Sequence, residues 1–319
     1  MTASADGSAV EPGETLGRLV ADAAAVLVSA GIESARLDAR LLAAHALGLA
    51  PEAPILRPEA AVGPEGRERL QSAIRRRSAG EPVSRILKRR EFWSLEFEIG
   101  PAVLDPRPDS EAVVAAVLDR LGDRTRPWRI LDLGTGSGCL LLALLSELPA
   151  AEGIGVDISA GAAAMARGNA LRLGLGGRAR FVAGDWASAL AGRYDAIVSN
   201  PPYIPSGDLA ALAPEVTDHD PRLALDGGGG GLDHYRAILA GAAHLLAPSG
   251  LLALEFGEGQ GAAIEAMVSA AQLAVDGTVP DLAGRPRCLL ATPARRNGAT
   301  PARRNGPGAE NDPETIGFR

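Results

Sequence analysis

Between Arg129 and Phe256 the chain alternates short apolar runs with helical stretches, and few folds accept that alternation. Arg129–Leu133, Gly153–Ile158, Arg180–Ala183, Ala196–Ser199 and Gly250–Phe256 are aliphatic at most positions, the pattern of strands buried on both faces. Helical patterns over Gly138–Leu148 and Ala160–Leu173 separate the first three, and Gly174 follows the second as a helix-ending residue. Strands joined by helices in this way predict a doubly wound α/β sheet. Leu289–Ala291 is a shorter candidate for its last strand. Hydrophobic residues make up 46% of the 319 residues and aromatics 3%, so the core around that sheet has to be aliphatic.

Upstream, from Glu14 to about Ala79, the periodicity is helical. Leu16, Leu19, Val20, Ala23 and Leu27 share one face ahead of Gly31, and Ala35–Leu47 and Pro64–Ser78 read as two further helices. The Arg75-Arg76-Arg77 run in the last of these reads as a solvated face. Leu95, Phe97 and Ile99 then alternate as in a hairpin strand. The expected organisation is a small N-terminal helical domain (1–85), an α/β domain (86–291) and a tail (292–319). In the tail Thr292-Pro293-Ala294-Arg295-Arg296-Asn297-Gly298 recurs at 300–306 without apolar periodicity, so disorder is expected there.

The formal net charge of −7 argues against broad, sequence-independent binding of nucleic acid, which needs a basic footprint. Cys139 and Cys288 are far apart and outside any CxxC pattern, and His45, His219, His234 and His244 have no ligand spacing, so neither a disulfide framework nor a metal site is expected. The polar, acidic N-terminus lacks the apolar core of a signal peptide, and no stretch is long enough to span a bilayer. A soluble, cytoplasmic protein is the expectation.

The strand ends carry the chemistry. Ile130-Leu131-Asp132-Leu133 runs into Gly134-Thr135-Gly136-Ser137-Gly138 and then a helix, whose first N–H groups are unpaired. A dinucleotide site would place its third glycine at 139, which is Cys; the observed spacing, with Asp132 before it, suits an adenosyl amino acid better than a pyrophosphate. Asp157 ends the next strand about 20 residues on, where a carboxylate can accept both ribose hydroxyls. A plain helix cap is its other reading, because Asp157 and Ser159 both precede a helix. Asp185 and Trp186 end the third strand, where they can take an adenine amino group and cover a ring face, or simply sit at the surface.

Asn200-Pro201-Pro202-Tyr203 ends the fourth. Two prolines stop the strand and leave Asn200 at its carboxyl edge, where open α/β sheets bind ligands. An Asn amide, a stiffened carbonyl and an aromatic ring suit a substrate –NH2 group held on a planar nitrogen. A strand-ending turn with a packed tyrosine is the alternative for the tetrapeptide taken alone.

With these motifs together, the sequence resembles the S-adenosylmethionine-dependent methyltransferases that act on planar nitrogen, and more narrowly the release factor glutamine methyltransferases. The resemblance reaches to about residue 291 and includes Arg90-Glu91-Phe92-Trp93, Pro106-Arg107-Pro108-Asp109-Ser110-Glu111, the four strand ends, His219-Asp220-Pro221-Arg222-Leu223-Ala224-Leu225-Asp226-Gly227-Gly228 and Asp281-Leu282-Ala283-Gly284-Arg285. It implies a Rossmann-like methyltransferase sheet, S-adenosylmethionine as cofactor, and peptide chain release factors as protein substrates docked by the helical domain. It further implies cofactor binding by Gly134, Thr135, Gly136, Ser137, Gly138, Asp157, Asp185, Trp186 and Asn200, with Arg107 edging the pocket. The glutamine of a Gly-Gly-Gln motif would be held by Asn200, Pro201, Pro202 and Tyr203, of which Asn200, Pro201 and Tyr203 serve the catalytic step. The same tetrapeptide also occurs in enzymes that methylate nucleobase amino groups, so a nucleic-acid methyltransferase stands as the alternative. Two positions depart from the family: Lys88 stands where Gly is usual, and Pro286 where an acidic residue is usual. The Gly227–Gly231 run reads as a flexible loop.

Overall fold

A computed structural model describes residues 15–188 and 190–294, so nearly all of the repeat-bearing tail lies outside the described residues. The chain opens with helices α1 (Leu16–Ser29), α2 (Ala35–Leu47), α3 (Ala53–Leu56), α4 (Pro64–Ser78) and α5 (Val83–Leu87). Leu16, Leu27, Leu42, Leu70, Ile74 and Ile86 join in one aliphatic cluster among them, so the helical stretch continues to Leu87. A hairpin of β1 (Arg89–Phe92) and β2 (Leu95–Glu98) follows.

The remainder is a seven-stranded sheet with helices on both faces. Its elements are α6 (Glu111–Leu121), β3 (Arg129–Leu133), α7 (Cys139–Glu147), β4 (Glu152–Asp157), α8 (Ala160–Arg172), β5 (Ala179–Ala183), β6 (Tyr194–Ser199), α9 (Pro214–Thr217), α10 (Asp233–Leu245), β7 (Leu246–Glu255), α11 (Gly261–Ala270), β8 (Leu273–Pro280) and β9 (Pro286–Pro293). The strand order is β5-β4-β3-β6-β7-β9-β8, parallel except where β9 pairs with β7 and β8. Successive strand residues face opposite layers. Ile130, Ala196, Val198 and Leu251 pack under α6–α8, while Leu131, Leu133, Ile197 and Leu252 pack under α10 and α11.

Two expectations are corrected. Arg77 is buried rather than solvated, because Asp38 on α2 (2.7 Å) and Glu215 on α9 (2.6 Å) neutralise it between the helical segment and the sheet. The glycine run is packed, with Gly227 and Gly231 against the Tyr203 backbone, so close that a Cβ on Gly227 would lie 2.8 Å from Tyr203 Cα. The departure at 286 is absorbed by a hairpin turn: Asp281 accepts the Ala283 and Arg285 N–H groups, and Pro286 starts β9.

Lys88, the other departure, keeps the left-handed turn after α5 at φ 57°, ψ 28°. A residue with a Cβ pays about 1–2 kcal/mol there, partly offset by the extra unfolded-state entropy a glycine brings. Lys88→Gly is therefore expected to stabilise the fold by about 0.5–1 kcal/mol, read as a higher denaturant midpoint at unchanged slope. An unmoved or lower midpoint would contradict this account.

Candidate active site

The sheet reverses direction between β3 and β6. From β3 the chain winds outward through β4 to β5, then returns to add β6 on the other side of β3. Connections leaving β3 and β6 diverge to opposite faces, which opens a crevice at their carboxyl ends. Registers Leu133↔Val156 and Leu133↔Ser199 bring the ends of β3, β4 and β6 level around a cleft of about 250 Å³.

Gly134, Thr135, Gly136 and Ser137 form one wall. Gly136 has φ 55°, and a Cβ placed on it would meet nothing within 4 Å, so the backbone borders open space. Asp157 spans the floor: Oδ2 accepts the Gly136 N–H (2.8 Å) and Oδ1 the Ser159 N–H (2.9 Å). Burial raises its pKa against those two hydrogen bonds. The cap of α8 is instead Ser159, whose hydroxyl accepts the Ala162 N–H, which leaves Asp157 facing the cleft. Trp186, at φ 45°, forms the far wall; it leans on His234 (ring centroids 5.3 Å apart) and approaches Gly134, where a Cβ would lie 3.2 Å from its ring. His234 Nε2 donates to the Asp226 carbonyl (3.0 Å), so the ring is tethered to the loop beyond Tyr203. Asp185 lies beside Trp186 on the same wall.

Asn200 closes the cleft from β6. Its Nδ2 donates to the Ser110 hydroxyl (3.0 Å), which leaves Oδ1 as its free acceptor. Pro202 also lines the cleft, whereas Pro201 is buried behind it and Gly138 is the N-cap of α7, away from the lining. Tyr203 packs with the apolar layer under α10, and burial pushes its hydroxyl up to about 12. Asp132 is wholly buried and bonds Thr135 Oγ1 (2.6 Å), so it braces the loop from beneath without reaching the cleft. His234 and the apolar Ala102–Leu104 segment line the cleft without any signal in the sequence, and Ser110 joins them from the Pro106–Glu111 stretch, where nothing local singles it out.

Arg107 edges the cleft and is also ion-paired, to Asp220 (2.6 Å). Buried Asp220 accepts in addition from Arg85 and from the Asp105 N–H (3.2 Å). One carboxylate thus ties α5, the cleft edge and the loop after Tyr203 together.

The sheet order and the cleft at its reversal define a methyltransferase of the Rossmann-like α/β class. The fold is shared with the hMettl16 catalytic domain solved in complex with MAT2A 3'UTR hairpin 6, at TM-score 0.53 and 18% identity over 70% of this chain and 83% of that one. Family models match at 18–87 (PrmC N-terminal domain) and 112–221 (Methyltransferase small domain). Release factor glutamine methyltransferase of Rhodospirillum rubrum is 51% identical over 286 residues, 89% of this chain and 86% of that protein. The Bradyrhizobium diazoefficiens protein of the same name is 49% identical, over 84% of this chain and 91% of its own length. The chain belongs to the release factor glutamine methyltransferase family.

Removing the Asp220 carboxylate would leave the buried Arg85 guanidinium only the Gly100 and Val103 carbonyls, with no opposite charge. Breaking a buried pair in this way costs about 3–5 kcal/mol. Asp220→Ala is accordingly expected to lower unfolding free energy by about that amount in denaturant titration, and a loss below about 1 kcal/mol would show the hub to be a surface-like pair.

Proposed function

We propose that this protein transfers a methyl group from S-adenosylmethionine to the side-chain amide nitrogen of the glutamine in the Gly-Gly-Gln motif of peptide chain release factors. The observation that carries the reading is the position of Asn200: it lines the cleft with Nδ2 held by Ser110, which leaves Oδ1 free to accept from a substrate.

The residues fit the cofactor. Gly136 leaves a cradle that a side chain would obstruct, and Asp157 is a half-buried carboxylate with an acceptor face toward the cleft. Asp157 would hold the ribose hydroxyls, Trp186 would cover the adenine with Asp185 at its amino group, and residues 134–137 would line the amino-acid portion. When bound, S-adenosylmethionine supplies an electrophilic sulfonium methyl.

The chain's own work is to aim a poor nucleophile. Asn200 Oδ1 and the Pro201 carbonyl each accept one N–H of the glutamine amide, which fixes the nitrogen toward the methyl. Those same acceptors stabilise the positive charge that grows on the nitrogen. Tyr203, kept neutral by burial, offers its ring beside the cationic centre instead of acting as a base. The methylated amide cation is acidic enough to release its proton to water. The helical segment, taken as residues 1–85, docks the body of the release factor while its loop enters the cleft. Arg77–Glu215 and Arg85–Asp220 join that segment to the loop that follows Tyr203. The acidic balance of the chain supports a protein substrate over a nucleic acid.

Mass spectrometry of a purified release factor after incubation with enzyme and S-adenosylmethionine should show one added methyl on the Gly-Gly-Gln glutamine, with none on DNA or RNA carried in parallel. Methylation of nucleic acid alone would overturn the assignment. Asn200→Ala should lower kcat by about 10²–10³-fold while leaving the Kd for S-adenosylhomocysteine within a few-fold of wild type. Asp157→Ala should show the opposite pattern in calorimetry, with cofactor affinity reduced first.

A further inference from the structure

Glu255 ends β7, the strand beside the one that carries Asn200. The parallel register pairs Ser199 with Leu254, so Asn200 and Glu255 emerge side by side at adjacent strand ends. Glu255 is 1% exposed, and its Oε2 has no hydrogen-bond partner. It does not line the cleft; Ser110 and Asn200, which do, lie close enough to its carboxyl group to favour its ionised form. Its backbone is pinned from the other layer, where the Tyr235 hydroxyl donates to the Glu255 carbonyl (2.8 Å).

A carboxylate in this place is expensive, because burial removes its water without giving it a full set of donors. A glutamine of the same size would fill the space without that penalty. What only the carboxylate provides is an acceptor with no N–H of its own. Facing it, the Asn200 amide has one favourable orientation: nitrogen toward Ser110 and Glu255, oxygen toward the cleft.

We propose that Glu255 is a positioning residue for methyl transfer, holding Asn200 Oδ1 toward the substrate through Ser110 and the Asn200 amide nitrogen and, when ionised, strengthening that oxygen as an acceptor. This rests on the reading of Asn200 as the holder of the substrate amide. A negative charge next to Nδ2 draws the amide toward its charge-separated form, which places more negative charge on Oδ1 just where the reacting nitrogen becomes positive.

Burial pushes Glu255 up to about 7, against the opposing pull of Ser110, Arg287 and Asn200, with Asp109 adding to the rise. Tyr203, Tyr235, Cys139 and Cys288 also sense its charge, and burial raises each of them, so they stay neutral around pH 7, while Arg287, raised against burial by its anionic neighbours, stays charged. Among the described residues Asp132, buried on β3 beneath the glycine loop, is also pushed up by burial to about 7, so it is the Asn200 resonance and the Glu255→Gln variant that single out Glu255. Below its midpoint a protonated Glu255 carboxyl puts a donor where Asn200 needs an acceptor, so turnover falls as the pH drops.

The test is a pH titration of the Asn200 side-chain amide by ¹⁵N NMR in the full chain without substrate, its resonance assigned by its loss in Asn200→Ser. The resonance should move with a midpoint of about 7 in the wild type and stay flat in Glu255→Gln. With the release factor as substrate, Glu255→Gln should lower kcat by about 10- to 100-fold, leave KM and S-adenosylhomocysteine affinity unchanged, and lose the acidic limb of the kcat profile. Ser110→Ala, which cuts the same link from a different element, should reproduce the kcat loss. A pH-independent Asn200 resonance, or wild-type kcat with an intact acidic limb in Glu255→Gln, would overturn the proposal. An inactive wild type with a titrating resonance would instead count against the substrate assignment, because the NMR signal reads the Glu255–Asn200 coupling without any methyl transfer.

Discussion

The site exists because β6 joins β3 on the side away from β4. Had the chain continued outward, the Gly134–Gly138 loop and Asn200 would lie at separate points along one edge. The reversal sets them across a single crevice, one strand spacing apart. The parallel pairing that fixes this geometry depends in turn on two dry aliphatic layers, since strands buried on both faces leave no polar edge to slip toward. Among the polar groups buried there, Asp132 near the end of β3 and Glu255 at the end of β7 sit toward the carboxyl rim.

The central strands were legible because their aliphatic composition is dictated by burial on both faces. The Gly134–Gly138 loop and the Asn200-Pro201-Pro202-Tyr203 turn were legible because positive φ and strand termination call for particular residue types. Other elements left weaker traces. β8 carries Asp276, Gly277 and Pro280 and is exposed along much of its length, so its pattern is that of an irregular edge strand. α11 sets Ile264, Met267 and Val268 among Gly, Ala, Ser and Glu, too few large apolar residues for a clear stripe. Short α5 was hidden for a similar reason, since five residues do not establish a period.

The site shows the same division. Residues that touch the cleft from strand ends were found from local sequence. Ser110, His234 and Glu255 were not, because their importance lies in which distant residue they meet. Arg77 illustrates the point from the other direction: within its Arg75-Arg76-Arg77 run nothing distinguishes it, and only Asp38 and Glu215, each on a different element, make it a buried cation. Local rules report backbone demands well and pairwise electrostatics poorly.

The glycine run after Asp226 has a practical side. Gly227 and Gly231 abut the Tyr203 backbone and Gly228 abuts Asp233, yet side chains at Gly229 and Gly230 would meet nothing within 4 Å. What looks like a featureless spacer is thus a clasp with a two-residue gap at its crown. A label or a short grafted peptide belongs in that gap, while the residues on either side of it leave an engineer no freedom at all.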